Sequence, residues 1–417
     1  MMTAPTRRRF RELRGPAVEK LEPTLLKGEQ SNTSVVYGNR LKLKLFRRLE
    51  EGESPELEIG RFLTEKQPFP HVAPLAGYFE YRPRRQCQPM TLGVLHGYVP
   101  NEGDAWHYTL DSLRHYFERV LTHEETEPPL PDGKSLLDIS QETVPPAAIE
   151  VIGPYFASAQ LLGQRTAELH LALAAATDDT TFAPESFSIT YQRSVFHAMR
   201  GFAIQVLGLL RRQQKNLPGE VQNYAQQVLD RETDIIERLR AITRRRLGAM
   251  RIRCHGDYHL GQVLYTGDNF VIIDFEGEPV RHLGERKIKR LPMRDVSGMI
   301  RSFNYAAHVA LYEQAPKLLR PEDLPALEKW ARAWYLWVTA AFLKSYLDLI
   351  TPTRLLPPDR EGLQIILDAT LIDKAVYETN YELNNRPEWV RIPLQGILDV
   401  LAAAPEIFAK TEKKAGE

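Results

Sequence analysis

Residues 255–262 read His-Gly-Asp-Tyr-His-Leu-Gly-Gln, and residues 274–277 read Asp-Phe-Glu-Gly. Between the two motifs lie a short apolar run, the turn Thr-Gly-Asp-Asn at 266–269, and a second apolar run. Two such runs joined by a polar turn with glycine predict a β-hairpin. The hairpin would return Asp274 to the neighbourhood of Gln262, so this stretch decides how the rest of the chain is interpreted.

The polar residues of the stretch suit phosphoryl transfer from a nucleotide. In protein-kinase catalytic loops an Asp accepts the substrate hydroxyl proton, an amide five residues later holds a metal, and a second Asp binds Mg²⁺. Asp257 and Gln262 have that five-residue separation, and Asp274 follows the hairpin. We therefore predict Asp257 as the base and Gln262 and Asp274 as Mg²⁺ ligands. A plain hairpin with polar ends is the alternative.

For four other polar side chains the sequence supports only a general prediction. Glu276 either contacts a second ion or caps the turn that follows it. His255 and His259 are predicted to order the catalytic loop by hydrogen bonding rather than to bind a ligand. His170 lies in a helical pattern and is predicted to face the core.

Composition excludes several classes of protein. A chain of 417 residues suits two or three lobes, and its 54 basic residues balance 54 acidic ones. No whole-molecule field therefore favours nucleic acid or an acidic membrane. Two cysteines exclude a disulfide framework and a cysteine-rich zinc site. No apolar stretch reaches the ~20 residues of a membrane span. We expect a soluble cytoplasmic protein with no nucleic-acid or membrane partner.

The pattern along the chain predicts an α+β fold. The first hundred residues read mainly as strands, and helical periodicity dominates from residue 147 onward. We predict a β-rich nucleotide-binding lobe at 1–100 and a large helical lobe at 101–417, which contains the catalytic hairpin at 251–278. The acidic, proline-rich stretch 122–146 is predicted to be an exposed excursion between helices.

A phosphate-covering loop is predicted in the β-rich lobe. Residues 28–34 read Gly-Glu-Gln-Ser-Asn-Thr-Ser. Small residues let backbone N–H groups approach phosphate, and the polar side chains add donors. The composition is also typical of an ordinary polar turn. The predicted nucleotide contacts are Gln30, Ser31, Asn32 and Thr33.

A strand lysine is the predicted partner of the α- and β-phosphates. Gly38-Asn39 is a two-residue hairpin turn, and alternation in the following strand puts Lys42 and Lys44 on one side. A strand lysine after the glycine-rich loop has this role in kinases. We predict Lys44, with Lys42 as the rival; two solvent-facing lysines are the alternative.

Two further elements complete the predicted ATP site. The lysine needs a carboxylate to orient it, and the helix beginning after Ser54 offers Glu56 and Glu58. Glu58, one turn into the helix, is preferred. Tyr98 and Val99 end the last strand before the helices, where the backbone would meet adenine.

The acceptor is predicted to bind near the end of a long C-terminal helix. Tyr377 and Tyr381 are four residues apart, so they lie on one helix face. Aromatic faces beside carboxylate, amide and guanidinium groups suit a polyhydroxylated ligand. Core packing of the aromatic residues is the alternative. The other predicted sugar contacts are Glu382, Asn385 and Arg386.

Several motifs in order resemble the bacterial maltokinase family, relatives of aminoglycoside phosphotransferases with a eukaryotic-kinase-like, two-lobed fold. They are residues 255–262, residues 274–279, the loop at 28–34, Leu-Lys-Leu-Phe-Arg at 43–47, and Tyr-Glu-Leu-Asn-Asn-Arg-Pro at 381–387. The resemblance runs from about Gly28 to Ala403.

The resemblance implies ATP-dependent phosphorylation of maltose at its anomeric hydroxyl, giving maltose 1-phosphate for α-glucan (glycogen) synthesis. Asp257 matches the family's base, Gln262 and Asp274 match its metal ligands, and 370–395 corresponds to its sugar-binding region. Such kinases also occur fused to trehalose synthase, which is the implied partner. Family members usually carry an N-terminal cap, whereas this chain has a basic tail at 1–14 in that place.

Two other functions remain open at the level of sequence. One is a phosphotransferase for an aminoglycoside or a choline-like hydroxyl; Arg386 beside the tyrosines disfavours a cationic acceptor. The other is a non-catalytic nucleotide-binding module that regulates a glucan enzyme. That module would be expected to lack Asp257, Gln262 or Asp274, and all three are present.

Overall fold

The computed structural model describes residues 2–6, 9–26, 32–84, 86–122, 127–131, 133–314 and 323–403. The chain divides into two compact units. The first unit comprises Met1–Tyr108, Glu168–Ala183 and Ile252–Arg290, and the second comprises Thr109–Ala167, Pro184–Arg251 and Leu291–Glu417. The predicted catalytic hairpin thus groups with the N-terminal residues.

Ten strands occur in the described residues. They are β1 (Met2–Thr3), β2 (Pro23–Leu25), β3 (Asn32–Tyr37), β4 (Leu41–Phe46), β5 (Leu75–Tyr81), β6 (Met90–Gly97), β7 (Glu185–Ser186), β8 (Met250–Arg251), β9 (Val263–Tyr265) and β10 (Phe270–Ile272).

The first unit is built on a six-stranded sheet with the order β1-β5-β6-β4-β3-β2. Strands β3 and β4 form the predicted hairpin around Gly38, whose φ of 46° lies in the left-handed region that such a turn requires. On β4, Lys42 pairs with His96 of β6 and Lys44 pairs with Val94. Lys42, Lys44 and His96 therefore share one face of the sheet.

Fourteen α-helices occur in the described residues. They are α1 (Phe10–Arg14), α2 (Pro55–Arg61), α3 (Ala105–Thr122), α4 (Leu136–Ile139), α5 (Pro146–Ile152), α6 (Tyr155–Ala174), α7 (Ile189–Gln213), α8 (Gly219–Asp230), α9 (Glu232–Arg240), α10 (Leu283–Arg286), α11 (Met293–Val309), α12 (Leu324–Ile350), α13 (Arg360–Asn385) and α14 (Arg391–Ala402). The predicted α+β class is confirmed.

Helix α2 begins as its sequence predicts. The Ser54 side chain accepts a hydrogen bond from the Leu57 N–H, and Pro55 occupies the first turn, where its missing N–H costs nothing. The helix continues as a π-helical turn, Phe62–Lys66.

The second unit is a helical bundle centred on α12. Its residues Trp334, Val338 and Phe342 are fully or almost fully buried, so this helix runs through the core. Gly163 of α6 lies so close to the backbone of Phe342 that an added Cβ would collide with the carbonyl. The missing side chain is therefore what permits this helix crossing.

The proline-rich stretch before α5 differs from its prediction. Within its described residues, Ser135 caps α4, and Leu137 and Ile139 are buried. The stretch is therefore partly anchored in the core rather than wholly exposed, because its apolar residues are spaced to face inward. Within the described residues, no helix is long and apolar enough to cross a membrane.

Candidate active site

The hairpin brings Gln262 and Asp274 together, as the sequence predicts. Strands β9 and β10 pair antiparallel, with Phe270 opposite Tyr265. Beyond the pairing, the Ile273 N–H donates to the Gln262 carbonyl at 3.0 Å. Asp274 is the next residue, so the backbone ladder itself sets the distance between the two predicted metal ligands.

Two histidines order the catalytic loop. His255 is 1% exposed, and its Nε2 lies 2.9 Å from the Ile273 carbonyl. With Nε2 donating, the ring's Nδ1 is left to accept the Asp257 N–H at 3.4 Å. His259 Nδ1 accepts the Gly261 N–H at 3.1 Å. The predicted structural role of both rings is confirmed, as is the burial of His170.

Asp274 has a strained backbone. Its φ is 67°, and it is the one non-glycine residue with positive φ in the described part of the chain. This left-handed conformation is unfavourable for most L-residues, although Asp and Asn tolerate it best. Strain of this kind persists where the surroundings fix a residue for a function.

The Lys44 ammonium holds the two acids of the Asp-Phe-Glu-Gly motif. Its Nζ lies 2.6 Å from Asp274 Oδ1 and 2.6 Å from Glu276 Oε1. Burial alone would lower the pKa of Lys44, but the carboxylates of Asp274, Glu56 and Glu276 outweigh it and raise that pKa above its usual range. Lys44 is therefore a permanently charged group inside the first unit.

Glu276 contacts side chains of the sheet rather than capping the turn that follows it, and its contact with a second ion stays a prediction. Its Oε1 accepts from Asn32 Nδ2 at 2.6 Å as well as from Lys44. Burial raises the pKa of Glu276, and the nearby Lys44 opposes that rise. Glu276 thus joins strand β3 to strand β4 through two side chains, in place of capping a turn.

The prediction that Glu58 orients Lys44 is wrong in this structure. Glu58 Oε2 lies 2.6 Å from Arg253 Nη2, and its Oε1 lies 3.1 Å from Lys287 Nζ. The acid that acts on Lys44 is Glu56, which is 3% exposed. Both acids lie in the first helical turn, so the sequence does not decide between them. The angle at which α2 packs on the sheet determines which one acts on Lys44.

Glu56 is ionised despite its burial. Burial would raise its pKa, but the charge of Lys44 and the neighbouring His96 lower that pKa to about 2. His96 Nε2 lies 3.1 Å from Glu56 Oε1, and its Nδ1 lies 3.2 Å from the Ala73 carbonyl. His96 is not among the site residues predicted from the sequence. Strand alternation, which places His96 on the same face of the sheet as Lys42 and Lys44, was the available signal.

Arg253 is a second residue that the sequence analysis missed. It is 2% exposed and stands two residues before His255. Its Nη1 donates to the Lys287 carbonyl at 2.8 Å while its Nη2 contacts Glu58. Two arginines, Arg251 and Arg253, interrupt the apolar residues at 249–254, and this was the signal for a buried ion pair.

A cavity of about 570 Å³ in the first unit is lined by six of the predicted nucleotide and metal contacts. Its lining residues do not include Asp257, Thr33 or Glu58; Thr33 accepts from Arg47 Nε at 3.2 Å on the other side of β3. Gln30 and Ser31 lie outside the described residues. The predicted residues that line the cavity are Asn32, Lys44, Tyr98, Val99, Gln262 and Asp274.

Tyr98 and Val99 form the predicted hinge, the strand end expected to contact adenine. Part of their backbone is already hydrogen-bonded within the protein. The Tyr98 N–H donates to the Arg40 carbonyl at 2.8 Å. The Val99 carbonyl accepts from Asn101 Nδ2 at 2.7 Å. Both residues line the cavity, and their contact with adenine stays a prediction.

The oxygen donors of the site suit Mg²⁺ only as part of a nucleotide complex. Within the described residues, no group of three or more His, Cys, Asp or Glu side chains could hold a metal ion. Asp274 and Gln262 supply one carboxylate and one amide oxygen. Mg²⁺ is commonly bound by one or two such ligands together with substrate phosphates and water, and the donor set fits that arrangement.

The predicted acceptor residues lie in the second unit, at the end of α13. Tyr381 is 48% exposed and Tyr377 is half-buried, so neither is a core residue. Arg386 packs over Tyr381 at 5.6 Å and over Trp389 at 4.3 Å. Asn385 Nδ2 donates to the Tyr381 carbonyl at 2.7 Å, which satisfies the helix end.

Glu382 differs from its neighbours because it is buried. Arg386 contacts both of its oxygens, at 2.8 and 2.9 Å, and the Tyr305 hydroxyl donates to it at 3.1 Å. One turn earlier, Arg301 Nε holds Glu378 at 2.8 Å. Both carboxylates of this helix face are therefore neutralised by arginine within the protein.

The chain is similar in sequence to known phosphotransferases and kinases. Residues 142–277 match the model of the phosphotransferase enzyme family. A glucosamine kinase from Streptacidiphilus jiangxiensis is 24% identical over 393 residues, which cover 89% of this chain and 72% of that protein. A glucosamine kinase from Mycolicibacterium smegmatis is 30% identical over 154 residues, covering 35% of this chain and 34% of that protein.

A solved structure of a glucosamine kinase in complex with glucosamine, ADP and inorganic phosphate has a TM-score of 0.67 to this chain at 20% identity. The match covers 96% of this chain and 79% of that one. The chain has a phosphotransferase-type kinase fold. The predicted kinase-like fold is thereby confirmed, and the sequence matches show that the chain is similar to kinases. The maltokinase assignment within that superfamily stays a prediction.

Proposed function

We propose that the protein transfers the γ-phosphoryl group of ATP to a hydroxyl group of a sugar. The observation that carries the proposal is the ion pair of Lys44 with Asp274 in one cavity with Gln262. Phosphoryl transfer depends on positioning and charge neutralisation more than on covalent catalysis. A buried ammonium beside a strained carboxylate and an amide supplies the groups that this chemistry uses.

In this proposal Lys44 binds the α- and β-phosphates and Glu56 keeps it oriented. Asp274 and Gln262 would hold Mg²⁺, which would supply charge neutralisation for the phosphates. Tyr98 and Val99 present the hinge backbone to adenine. The sequence matches to kinases and the ADP bound in the related solved structure support nucleotide use.

Asp257 accepts the proton of the attacking hydroxyl. The hydroxyl oxygen then bonds to the γ-phosphorus while the bond to the β-phosphate oxygen breaks, and ADP leaves. The hydrogen bond from the Asp257 N–H to His255 keeps the loop in one conformation. A fixed base avoids the cost of ordering it in the transition state.

Maltose is the first acceptor that we propose. The motif at 381–387 resembles the family's sugar-binding stretch, and the carboxylates of Glu378 and Glu382 are each neutralised by an arginine. A helix face without net negative charge favours a neutral sugar over an ammonium compound. The product would be maltose 1-phosphate for α-glucan synthesis, with trehalose synthase as the proposed partner and the cytoplasm as the proposed location.

Glucosamine is the second candidate acceptor. It is favoured by the similarity to two glucosamine kinases, one of which aligns with 89% of this chain. An aminoglycoside or choline is a cation and would need an acidic or aromatic cage, which the arginines paired with Glu378 and Glu382 disfavour. A purely regulatory nucleotide-binding module is disfavoured because Asp257, Gln262 and Asp274 are all present.

A coupled ADP-release assay with Mg²⁺ tests the proposal over maltose, glucosamine, glucose, trehalose, choline and kanamycin. The highest kcat/KM is expected with maltose, and the product should lose its reducing end while gaining one phosphate by phosphorus NMR. A higher kcat/KM for glucosamine would move the acceptor assignment to that sugar. Absence of acceptor-dependent ADP release with every compound would contradict the kinase proposal.

A further inference from the structure

A second cavity lies within the second unit, and none of its lining residues belongs to the proposed acceptor segment 377–386. Its volume is about 350 Å³, and helices α8, α11, α12 and α14 contribute its walls. Small-molecule sites span roughly 300–1,000 Å³. The cavity is therefore large enough for a small ligand.

The part of the cavity wall on α11 presents hydrogen-bond acceptors. Asn304 is 5% exposed, and its buried Oδ1 accepts no hydrogen bond within the described structure. One turn later, His308 Nδ1 lies 3.0 Å from the Asn304 carbonyl, so that nitrogen is the donor and Nε2 is an acceptor. Burial lowers the pKa of His308 to about 4, which keeps the ring neutral near pH 7. A buried acceptor without a donor is rare in folded proteins.

The wall at the start of α14 presents a donor between two aromatic rings. The Arg391 guanidinium lies 5.3 Å from the ring centre of Tyr224 and 5.3 Å from that of Tyr312. Its Nη2 donates to Glu328 at 2.9 Å, whereas its Nε is buried and has no acceptor in the described structure. The arginine is thus held in place with one N–H left for a further oxygen.

Charge around the cavity is balanced. Its three cationic lining residues each lie within ion-pair distance of a carboxylate, at 2.7 to 2.9 Å, and two of those carboxylates also line the cavity. A phosphate ester would meet the carboxylates, and an ammonium compound would meet the guanidinium groups. A neutral ligand avoids both penalties. The pairs are Lys329–Glu127, Arg332–Asp399 and Arg391–Glu328.

We infer that this cavity is an accessory binding site for a neutral saccharide of one or two rings. Sugar hydroxyls can donate to Asn304 and His308 and accept from Arg391 Nε at the same time, because each hydroxyl does both. The C–H face of a sugar ring packs on the exposed side of an aromatic ring such as Tyr224. The site is additional to the acceptor position used in phosphoryl transfer.

The test counts saccharide sites on the full-length chain without nucleotide. Isothermal titration calorimetry with maltose and glucose, and with choline and glucose 6-phosphate as charged comparisons, is run on the wild type and on Tyr224→Ala, which removes the half-buried ring. Ala307→Leu fills the cavity from a residue that is 2% exposed. Gln226→Ala is the matched control, because Gln226 is an exposed residue of α8 that does not line the cavity. Circular dichroism verifies that each variant folds.

One class of saccharide sites should disappear in Tyr224→Ala and Ala307→Leu and persist in Gln226→Ala. The KM for the sugar acceptor in the kinase assay should stay within twofold of wild type in all three variants. Unchanged stoichiometry in the cavity variants would overturn the inference, as would absence of saccharide binding to the wild type. Tighter binding of choline or glucose 6-phosphate at this site would overturn its assignment to neutral ligands.

Discussion

Lys44 Nζ lies 2.6 Å from Asp274 Oδ1, and Asp274 is the one described non-glycine residue with a left-handed backbone. The two residues are far apart in sequence, on a central strand and after a hairpin. Their contact links the conformation of the Asp-Phe-Glu-Gly motif to the predicted phosphate-binding lysine. Several predictions about activity depend on this pair and on the groups around it.

Asp257→Ala should lower kcat by about a hundredfold to ten-thousandfold, the usual contribution of a general base. Its affinity for MgATP should stay near wild type, because Asp257 does not line the nucleotide cavity. Steady-state kinetics and calorimetric ATP titration measure the two effects. Asp268→Ala is the control, since Asp268 is exposed in the turn of the same hairpin. Retention of more than a few per cent of wild-type kcat would exclude Asp257 as the base.

Asp274→Asn should keep the fold and bind ATP at least tenfold more weakly in the presence of Mg²⁺. Asn tolerates left-handed backbone nearly as well as Asp, but its neutral amide is a poorer Mg²⁺ ligand than a carboxylate. Asp274→Ala should be less stable than Asp274→Asn by about 1 kcal/mol, because Ala cannot form the local hydrogen bonds that help Asn. Urea unfolding and ATP titration with and without Mg²⁺ measure both effects. Wild-type MgATP affinity in Asp274→Asn would contradict the assignment.

Glu56→Gln and Glu58→Ala should have different consequences. Glu56→Gln removes a charge that acts on Lys44, so the KM for ATP should rise about tenfold with a smaller change in stability. Glu58→Ala leaves buried Arg253 without its carboxylate, which should cost roughly 3 kcal/mol in the free energy of unfolding. ATP kinetics and urea unfolding of both variants separate the roles. A raised KM for ATP with unchanged stability in Glu58→Ala would restore the original assignment of Glu58.

Tyr381→Ala should raise the KM for the sugar about tenfold and leave the KM for ATP unchanged. The ring is 48% exposed and packs against Arg386, so its loss removes a stacking surface without opening the core. Asn384→Ala, an exposed change on the same helix end, is the control. The opposite pattern, with the KM for ATP altered alone, would remove this helix end from the acceptor site.

His308 should make stability depend on pH between 6.5 and 4. Burial lowers the pKa of His308 from 6.5 in the unfolded chain to about 4 in the fold. The unfolded chain therefore takes up the proton first as pH falls, and the folded state loses at most about 3 kcal/mol through this window. Above pH 6.5 the histidine has no such effect. His308→Gln should flatten this part of the stability profile in urea unfolding at several pH values. A profile identical to wild type would contradict the burial of a neutral ring.

Features set by local sequence were predictable. Ser54 capping, the turn at Gly38 and the return of Asp274 to Gln262 each depend on residues within one hairpin or helix turn. The choice between Glu56 and Glu58 was not predictable, because it depends on how α2 is rotated against the sheet. The contact of Asn32 with Glu276 likewise joins segments that only tertiary packing brings together.

Sequence also left the acceptor helix ambiguous. An i, i+4 pair of tyrosines is compatible with core packing or with an exposed surface, and the structure exposes Tyr381. The burial of Glu382 depends on Tyr305, which comes from another helix. Hydrophobic periodicity carries no information about such a cross-helix hydrogen bond.

The nucleotide cavity has more negative than positive side chains, and this has a consequence for the order of binding. Its lining includes three carboxylates, those of Glu56, Asp104 and Asp274, against two ammonium groups, those of Lys42 and Lys44. Naked ATP, itself an anion, would be repelled by this surplus of negative charge. The protein should thus discriminate against uncomplexed nucleotide and admit it only together with its counter-cation, so that chelation would abolish nucleotide capture and not turnover alone.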